Sequence, residues 1–173
     1  MTDTSCTLNP LKDYRLLQFT REMLERFSRF TDAGIAQREE LFHQGNIARK
    51  ILCDIDFDEL DEETQQQVLS DLEGIPTLAP AAREALLLEV ARRATSSENT
   101  LDMGHWHSPC GTSHCIAGWA SVVAREAGVL LEKEFGTRIA GAMLLGPAAA
   151  AHFFDSQEGG EKYLQSVLEQ QRD

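Results

Sequence analysis

Apolar residues recur at helical spacing along most of this 173-residue chain, and this periodicity limits the possible folds most strongly. Charged side chains fill the opposite face of the clearest apolar stripe. That stripe lies within residues 11–30 and consists of Leu16, Phe19, Met23, Phe27 and Phe30. No segment shows the strict alternation of a half-buried strand. The pattern predicts a mainly α fold, an irregular multi-helix domain of about six to eight helices with little or no β structure.

Proline and glycine positions predict where the other helices begin and end. Pro80 and Pro147 suit first turns, and Gly128 and Gly146 suit helix ends. Residues 129–137 are ambiguous between a short strand and a helical turn. We predict further helices over residues 35–53, 60–74, 80–94, 114–128, 137–146 and 147–154, and a last amphipathic helix after a turn at Gly159–Gly160.

The composition changes near residue 98. Residues 1–97 are charged and helical in pattern, whereas residues 98–173 are rich in Ala and Gly. This shift predicts an N-terminal amphipathic part followed by a compact helical unit. One continuous domain remains the alternative, because the length suits a single domain.

Negative charge is concentrated in one segment. The formal net charge is −12, and residues 54–73 hold nine acidic side chains and no Lys or Arg. A surface of this sign argues against direct nucleic-acid binding, which needs basic side chains to displace counterions. Two interpretations of the acidic segment stay open: it contacts a protein partner with a basic surface, or it is a solvated face that keeps the protein soluble, which is the commoner role of a charge run. The predicted contact residues are Asp54, Asp56, Asp58, Glu59, Asp61 and Glu62.

The chain shows no membrane signal. It has no apolar run of about 18 residues, which a membrane-spanning helix needs. The N-terminus lacks the basic and apolar regions of a secretory signal. We therefore expect a cytoplasmic protein without membrane association, in which thiols stay reduced.

Residues 105–115, which we name the Cys–His loop, hold three of the five histidines and two of the four cysteines. Zinc is bound by four thiolates or imidazoles in structural sites. The spacing is irregular for a zinc motif, so a bound metal is one alternative and no cofactor is assigned. The candidate metal ligands are His105, His107, Cys110, His114 and Cys115.

A second interpretation of the loop is thiol chemistry. Thr112 or Ser113 suits the N-cap of the helix that follows, which would place Cys115 in its first turn. The helix dipole favours a thiolate there and lowers its pKa. Cys115 is then the candidate reactive thiol or nucleophile, with His107 or His114 as its proton partner. A reversible Cys110–Cys115 disulfide belongs to the same interpretation.

The third and favoured interpretation is structural. Small residues around Trp119, among them Gly118, allow close helix packing, and the indole ring fills the core. Cysteine behaves in such a setting as a small apolar residue. Cys53 is expected to be buried in the same way, and Cys6 lies near the N-terminus.

The loop also carries a resemblance. The string from Trp106 to Ala120, with the core CGTSHCIAGWA, is followed by AGAMLLG and then by FFDSQEGGEKYLQSVL. Over residues 101–168 this resembles a group of small bacterial and phage proteins with a W-x-CGTxxC-x-AGWA, LLG and (L/F)F pattern and no established activity. The histidines of the loop are not part of that pattern.

Together these features predict a non-enzymatic accessory protein that binds another protein. The Cys–His loop would be structural, and the acidic segment would contact the partner. The alternatives are a redox sensor or cysteine-dependent enzyme centred on Cys115, and a zinc-binding protein. No particular reaction follows from the sequence.

Overall fold

A computed structural model describes residues 16–22, 56–96 and 100–171. Of these residues, 68% are helical and 4% lie in strands, which confirms the mainly α, multi-helix prediction. The predicted helix over 35–53 and the boundary at residues 97–98 lie outside the described residues. The elements are α1 (residues 16–22), a 3-10 turn (Phe57–Glu59), α2 (Glu62–Leu72), α3 (Pro80–Ala94), β1 (Thr100–Leu101), β2 (Ser113–His114), α4 (Ile116–Ala124), α5 (Glu126–Leu145), α6 (Pro147–Ala150) and α7 (Gln157–Glu169).

Side-chain caps and prolines set the starts of three helices. The Asp61 carboxylate accepts from the Thr64 N–H at 2.9 Å and so caps α2. Pro80 begins α3 in its first turn, and α3 matches the predicted range 80–94. The Ser156 hydroxyl accepts from the Gly159 N–H at 3.0 Å and caps α7.

The predicted helix over 114–128 ends earlier than expected. Arg125 adopts φ 54° and ψ −127°, which breaks the chain into α4 and α5. Gly128 lies inside α5 rather than at a helix end, and a Cβ there would come within 2.1 Å of the Ser121 carbonyl oxygen, so the position requires glycine. This close approach lets α5 pack directly on α4.

The ambiguous segment 129–137 is helical and belongs to α5. Gly136, with φ 78°, bends α5 near its middle. Gly146, with φ 86°, ends the helix, and Pro147 begins α6, as predicted.

The predicted turn at Gly159–Gly160 is wrong, because both glycines lie in the first turn of α7. A Cβ on Gly159 would lie 2.3 Å from the Asp56 carboxylate carbon, and one on Gly160 would lie 2.8 Å from the Met103 sulfur. The glycines therefore serve close packing rather than a change of chain direction.

Helix α4 lies at the centre of the core and packs against α3 and α5. Trp119, on α4, is 3% exposed, which confirms its predicted burial. Residues from both halves of the chain, such as Phe57 and Leu164, join the same apolar cluster. Within the described ranges, no helix combines the length and apolar character needed to span a membrane.

Two short parallel strands place the Cys–His loop beside this core. Thr100 pairs with Ser113, and Leu101 pairs with His114. An antiparallel bridge between His107 and His114 closes the loop on itself. The chain then enters α4 directly from β2.

Candidate functional site

Cys115 forms the base of the Cys–His loop, at the start of α4. It is the N-cap itself, so the predicted cap at Thr112 or Ser113 is wrong. Its sulfur accepts from the Gly118 N–H at 3.4 Å, and its side chain is buried. Burial raises the pKa of Cys115 to about 11 and outweighs the opposing effect of that N–H group. The expected low pKa of Cys115 is therefore wrong.

Cys110 forms the exposed tip of the same loop. Its sulfur lies 3.2 Å from the Ser108 hydroxyl and 3.0 Å from the Thr112 hydroxyl. These two contacts lower the pKa of Cys110 to about 7, with Ser108 contributing most. Cys110 and Cys115 are not joined in a disulfide. Of the two thiols in the loop, Cys110 is therefore the one whose pKa is lowered, whereas the sequence had suggested it only as a metal ligand or disulfide partner.

A chain of polar contacts links the two candidate histidines to α5. Nδ1 of His107 lies 2.8 Å from Nδ1 of His114. Nε2 of His107 lies 2.6 Å from Oε1 of Glu132, to which the Thr137 hydroxyl also donates. Nε2 of His114 lies 3.2 Å from the Gly111 carbonyl oxygen. The structure therefore brings His107 and His114 together.

Burial lowers the pKa of His114, and the neighbouring charge of His107 lowers it further. The Gly111 carbonyl and Glu132 oppose this shift. His114 also stacks edge-on against Trp119, with ring centroids 4.8 Å apart. This contact joins the histidine pair to the buried core of α4.

Glu132 and Thr137 were not predicted as site residues. They lie in the segment that the sequence left ambiguous, and Glu132 is 25 positions from His107. Helical periodicity identifies the buried face of a helix, but it does not identify which loop contacts its polar face. No local signal marks Glu132 as a histidine partner.

The candidate metal ligands do not form one cluster in the described part of the chain. Nδ1 of the exposed His105 lies 3.1 Å from Asp102 Oδ2. No group of three or more His, Cys, Asp or Glu side chains that could hold a metal ion occurs among the residues described. Zinc binding therefore stays a prediction, and the described residues do not show where the ion would bind.

The acidic segment is partly committed to the fold. Asp56 accepts from the Ser156 N–H at 2.7 Å and from its hydroxyl at 3.1 Å. Asp61 caps α2, as described above. Asp58, Glu59 and Glu62 are exposed, as is Glu63. Asp54 lies outside the described residues. Two of the six predicted contact carboxylates thus serve to hold the segment in place.

A second histidine–carboxylate cluster lies behind this segment. Nδ1 of the buried His152 is 2.6 Å from Asp155 Oδ2, and the Phe57 N–H donates to the other oxygen of Asp155 at 2.9 Å. The Tyr163 ring stacks on His152 with centroids 3.9 Å apart. Burial raises the pKa of Tyr163 above its ordinary value. The cluster joins residues 57–58 to the C-terminal part of the chain, and His152 is a buried packing residue.

Comparison of the chain with protein-family models, with curated proteins and with solved structures finds no match. The resemblance to small bacterial and phage proteins therefore stays a prediction.

Proposed function

We propose that this chain is a non-enzymatic accessory protein that binds a basic protein partner through a fixed acidic surface. We define this acidic surface as Asp58, Glu59, Glu62 and Glu63. The observation that supports the proposal is that the carboxylates of residues 56–63 have two different roles. Some carboxylates anchor the segment, and the others face solvent.

The anchoring contacts come from several elements. Asp56 binds the start of α7, and Asp61 caps α2. The Gln65 side chain donates to the carbonyl oxygens of Phe57 and Leu60 at 3.0 and 3.1 Å. A segment held in this way loses little conformational freedom when a partner binds, which favours affinity.

The acidic surface keeps its negative charge available. Among the residues that the structure describes, no lysine or arginine forms an ion pair with its four carboxylates; Asp58 only approaches the His152 ring, at 4.0 Å. Exposed charges of one sign speed the encounter with an oppositely charged partner and set its orientation. Such binding weakens as salt concentration rises.

An oligolysine peptide is the probe that tests this surface. The variant Asp58→Asn, Glu59→Gln, Glu62→Gln, Glu63→Gln is compared with a control that neutralises Glu84, Glu126, Glu134 and Glu158, which are also exposed. Both variants change the net charge by +4. We expect about a tenfold loss of affinity in the first variant and a smaller loss in the control. Equal losses would show that only total charge matters and would refute the proposed surface.

Cys110 supports a second candidate function, a thiol that senses oxidants. With a pKa of about 7, roughly half of this exposed thiol is thiolate at neutral pH, and thiolate is the form that reacts. Attack of the thiolate on hydrogen peroxide forms an S–O bond, breaks the O–O bond and gives a sulfenic acid and hydroxide. The sulfur is oxidised by two electrons, and the peroxide is reduced.

A sulfenic-acid-trapping diketone tests the second candidate after brief treatment with hydrogen peroxide. We expect the adduct on Cys110 and its loss in Cys110→Ser. Ser108→Ala with Thr112→Ala, which leaves the thiol in place, should slow adduct formation at neutral pH. Oxidation of Cys110 no faster than that of a model thiol rules out a sensing role.

A further inference from the structure

The first half of α5 carries two exposed apolar residues, Val129 and Leu130, which we name the apolar pair. Val129 is 63% exposed and Leu130 is 36% exposed, whereas the neighbouring Ala127 and Leu131 are buried. In the part of the chain that the structure describes, no other large apolar side chain is exposed to this extent. Single apolar side chains are ordinary on a protein surface, so the apolar pair indicates an interface only if its surroundings fit a particular partner.

Four exposed charged residues flank the apolar pair, and their signs are opposite on its two sides. Glu126 lies three positions before the pair, and Lys133 lies three positions after it. Arg125 lies four positions before the pair, and Glu134 lies four positions after it. Among the described residues these four side chains form no ion pair. The remaining charged residue there, Glu132, is engaged with the Cys–His loop.

Helical spacing brings the inner charges and the apolar pair onto one face. Glu126 and Lys133 are seven residues apart, so they lie within about 20° of each other around the helix axis. The apolar pair lies between them along the axis, with one residue on each side of the line that joins them. Residues 126–135 form about 15 Å of helix before Gly136 bends α5. The face is therefore short, with an apolar middle and one charge of each sign.

A second copy of this chain fits this face when the two helices run antiparallel. A two-fold axis through the midpoint of the apolar pair places Glu126 of each copy opposite Lys133 of the other copy. The same axis places the two apolar pairs against each other. A parallel arrangement would place Glu126 against Glu126 and Lys133 against Lys133, and like charges repel. The charge pattern therefore selects both the partner and its orientation.

We propose that this chain forms an antiparallel homodimer through the α5 face, which consists of Glu126, Val129, Leu130 and Lys133. The α5 face shares no residue with the acidic surface, so each copy keeps its acidic surface in the dimer and the proposal does not rest on the proposed function. A contact of this length buries less than the roughly 1,200 Å² of a standard interface. We therefore expect a weak dimer, with a Kd of about 10–100 µM at low salt.

Sedimentation equilibrium of the full chain, with a reducing agent present, tests for the dimer. We expect a monomer–dimer equilibrium that shifts toward monomer as salt rises, because exposed ion pairs are screened. Val129→Ser with Leu130→Ser should remove the dimer. A parent protein that stays monomeric up to about 1 mM would overturn the proposal. The measured Kd also sets a concentration at which the chain is monomeric, and the oligolysine titrations are compared there because their control replaces Glu126.

Charge exchange tests the orientation. Glu126→Lys and Lys133→Glu each place like charges across both contacts and should weaken the dimer about tenfold. The double variant Glu126→Lys, Lys133→Glu keeps the net charge of the parent and should restore the dimer. Glu158→Lys, at an exposed position on α7, changes the net charge as much as Glu126→Lys does and should leave the Kd unchanged. A double variant as weak as the single variants would overturn the antiparallel pairing.

A mixture of the two single variants separates a lost contact from a lost fold. Each contact in the mixed dimer joins opposite charges, so an equimolar mixture of Glu126→Lys and Lys133→Glu should dimerise although neither variant does so alone. A misfolded variant could not recover in this way. A mixture that stays monomeric would contradict the proposed contacts.

A carbodiimide, which joins a carboxylate to a lysine amine without a spacer, tests the contact itself. An equal mixture of unlabelled and isotope-labelled parent protein distinguishes links between copies from links within one copy. We expect mass spectrometry to find mixed-mass peptides that join Glu126 of one copy to Lys133 of the other. Cross-linked peptides with the mass of only one isotopic form would show that the two residues do not meet between copies and would overturn the proposal.

Discussion

The tip and the base of the Cys–His loop hold the same chemical group in opposite settings. At the exposed tip, two hydroxyl groups lower the pKa of Cys110 to about 7. At the base, burial raises the pKa of Cys115 to about 11, although its sulfur accepts a backbone N–H at the start of a helix. A helix N-terminus favours a thiolate only while solvent or a charge partner is present; in the apolar core, desolvation has the larger effect.

The base is scaffold. A Cβ on Gly118 would come within 1.8 Å of the Trp106 carbonyl oxygen, so the loop and α4 touch through their backbones. Trp119, on the same helix, is buried in the core. At the tip, Cys110 is exposed, whereas Cys115 at the base is buried. The two residues are only five positions apart, so the difference comes from exposure to solvent.

Truncation of the buried indole should have the largest effect on stability. We expect Trp119→Ala to lower the free energy of unfolding by about 3–5 kcal/mol, the usual cost of removing a large core aromatic. Trp106→Ala is the matched control at the half-buried ring that contacts Phe154, and it should cost less. Denaturant titration measures both. Equal losses would show that the fully buried Trp119 ring contributes no more to stability than the half-buried Trp106 ring.

The same contrast should hold for the cysteines, with smaller energies. Cys115→Ser places a hydroxyl in a buried, apolar setting and should cost about 1–3 kcal/mol. Cys110→Ser changes an exposed side chain and should stay within about 0.5 kcal/mol of the parent protein. Thermal and denaturant unfolding measure both. A Cys110→Ser loss equal to that of Cys115→Ser would show that the tip also carries stability.

Removal of the two hydroxyls at the tip should raise the pKa of the Cys110 thiol and cost about 1 kcal/mol of stability, because the Ser108 hydroxyl also accepts from the Ser113 N–H at 3.1 Å. Ser108→Ala with Thr112→Ala should return the pKa of Cys110 from about 7 toward the ordinary value of 9.0. The pH dependence of alkylation gives this pKa. A control, Thr95→Ala, removes a hydroxyl at the C-cap of α3 and should leave the pKa of Cys110 unchanged. An unchanged midpoint in the double variant would mean that the hydroxyls do not activate the thiol.

Acid should weaken the protein through His114. Its pKa lies below the unfolded value of 6.5, so the unfolded chain binds more protons between the two values. The contribution of His114 to the free energy of unfolding is fully present above about pH 6.5. It is lost as pH falls through the lower pKa of His114 in the folded protein. Urea titrations across this range, with and without His114→Gln, measure it. A steeper loss of stability in the variant would contradict the sign.

Local patterns predicted the fold better than the site. Pro80, Pro147 and Gly146 set helix limits through properties of their own backbone, which a sequence displays directly. The break at Arg125 and the helical Gly159 depend on contacts between distant segments. A short-range pattern contains no information about such contacts.

The candidate site likewise depends on contacts between distant segments, which short-range patterns do not predict. His107 and His114 were recognised because they are close in sequence, but Glu132 was not. The wrong expectation for Cys115 arose from a correct local inference, since the sulfur does lie at a helix start. Its burial depends on how α4 packs, and that outcome decides the sign of the pKa shift.

Alkylation of the native protein at neutral pH tests the contrast between tip and base most directly. In a Cys6→Ser, Cys53→Ser background, mass spectrometry follows iodoacetamide addition to each remaining cysteine. At pH 7 about half of Cys110 but only about one Cys115 in 10⁴ is thiolate, from pKa values of about 7 and about 11. We predict that Cys110 is labelled while Cys115 stays unmodified until the protein unfolds. Labelling of Cys115 in the folded protein as fast as Cys110 would contradict the account.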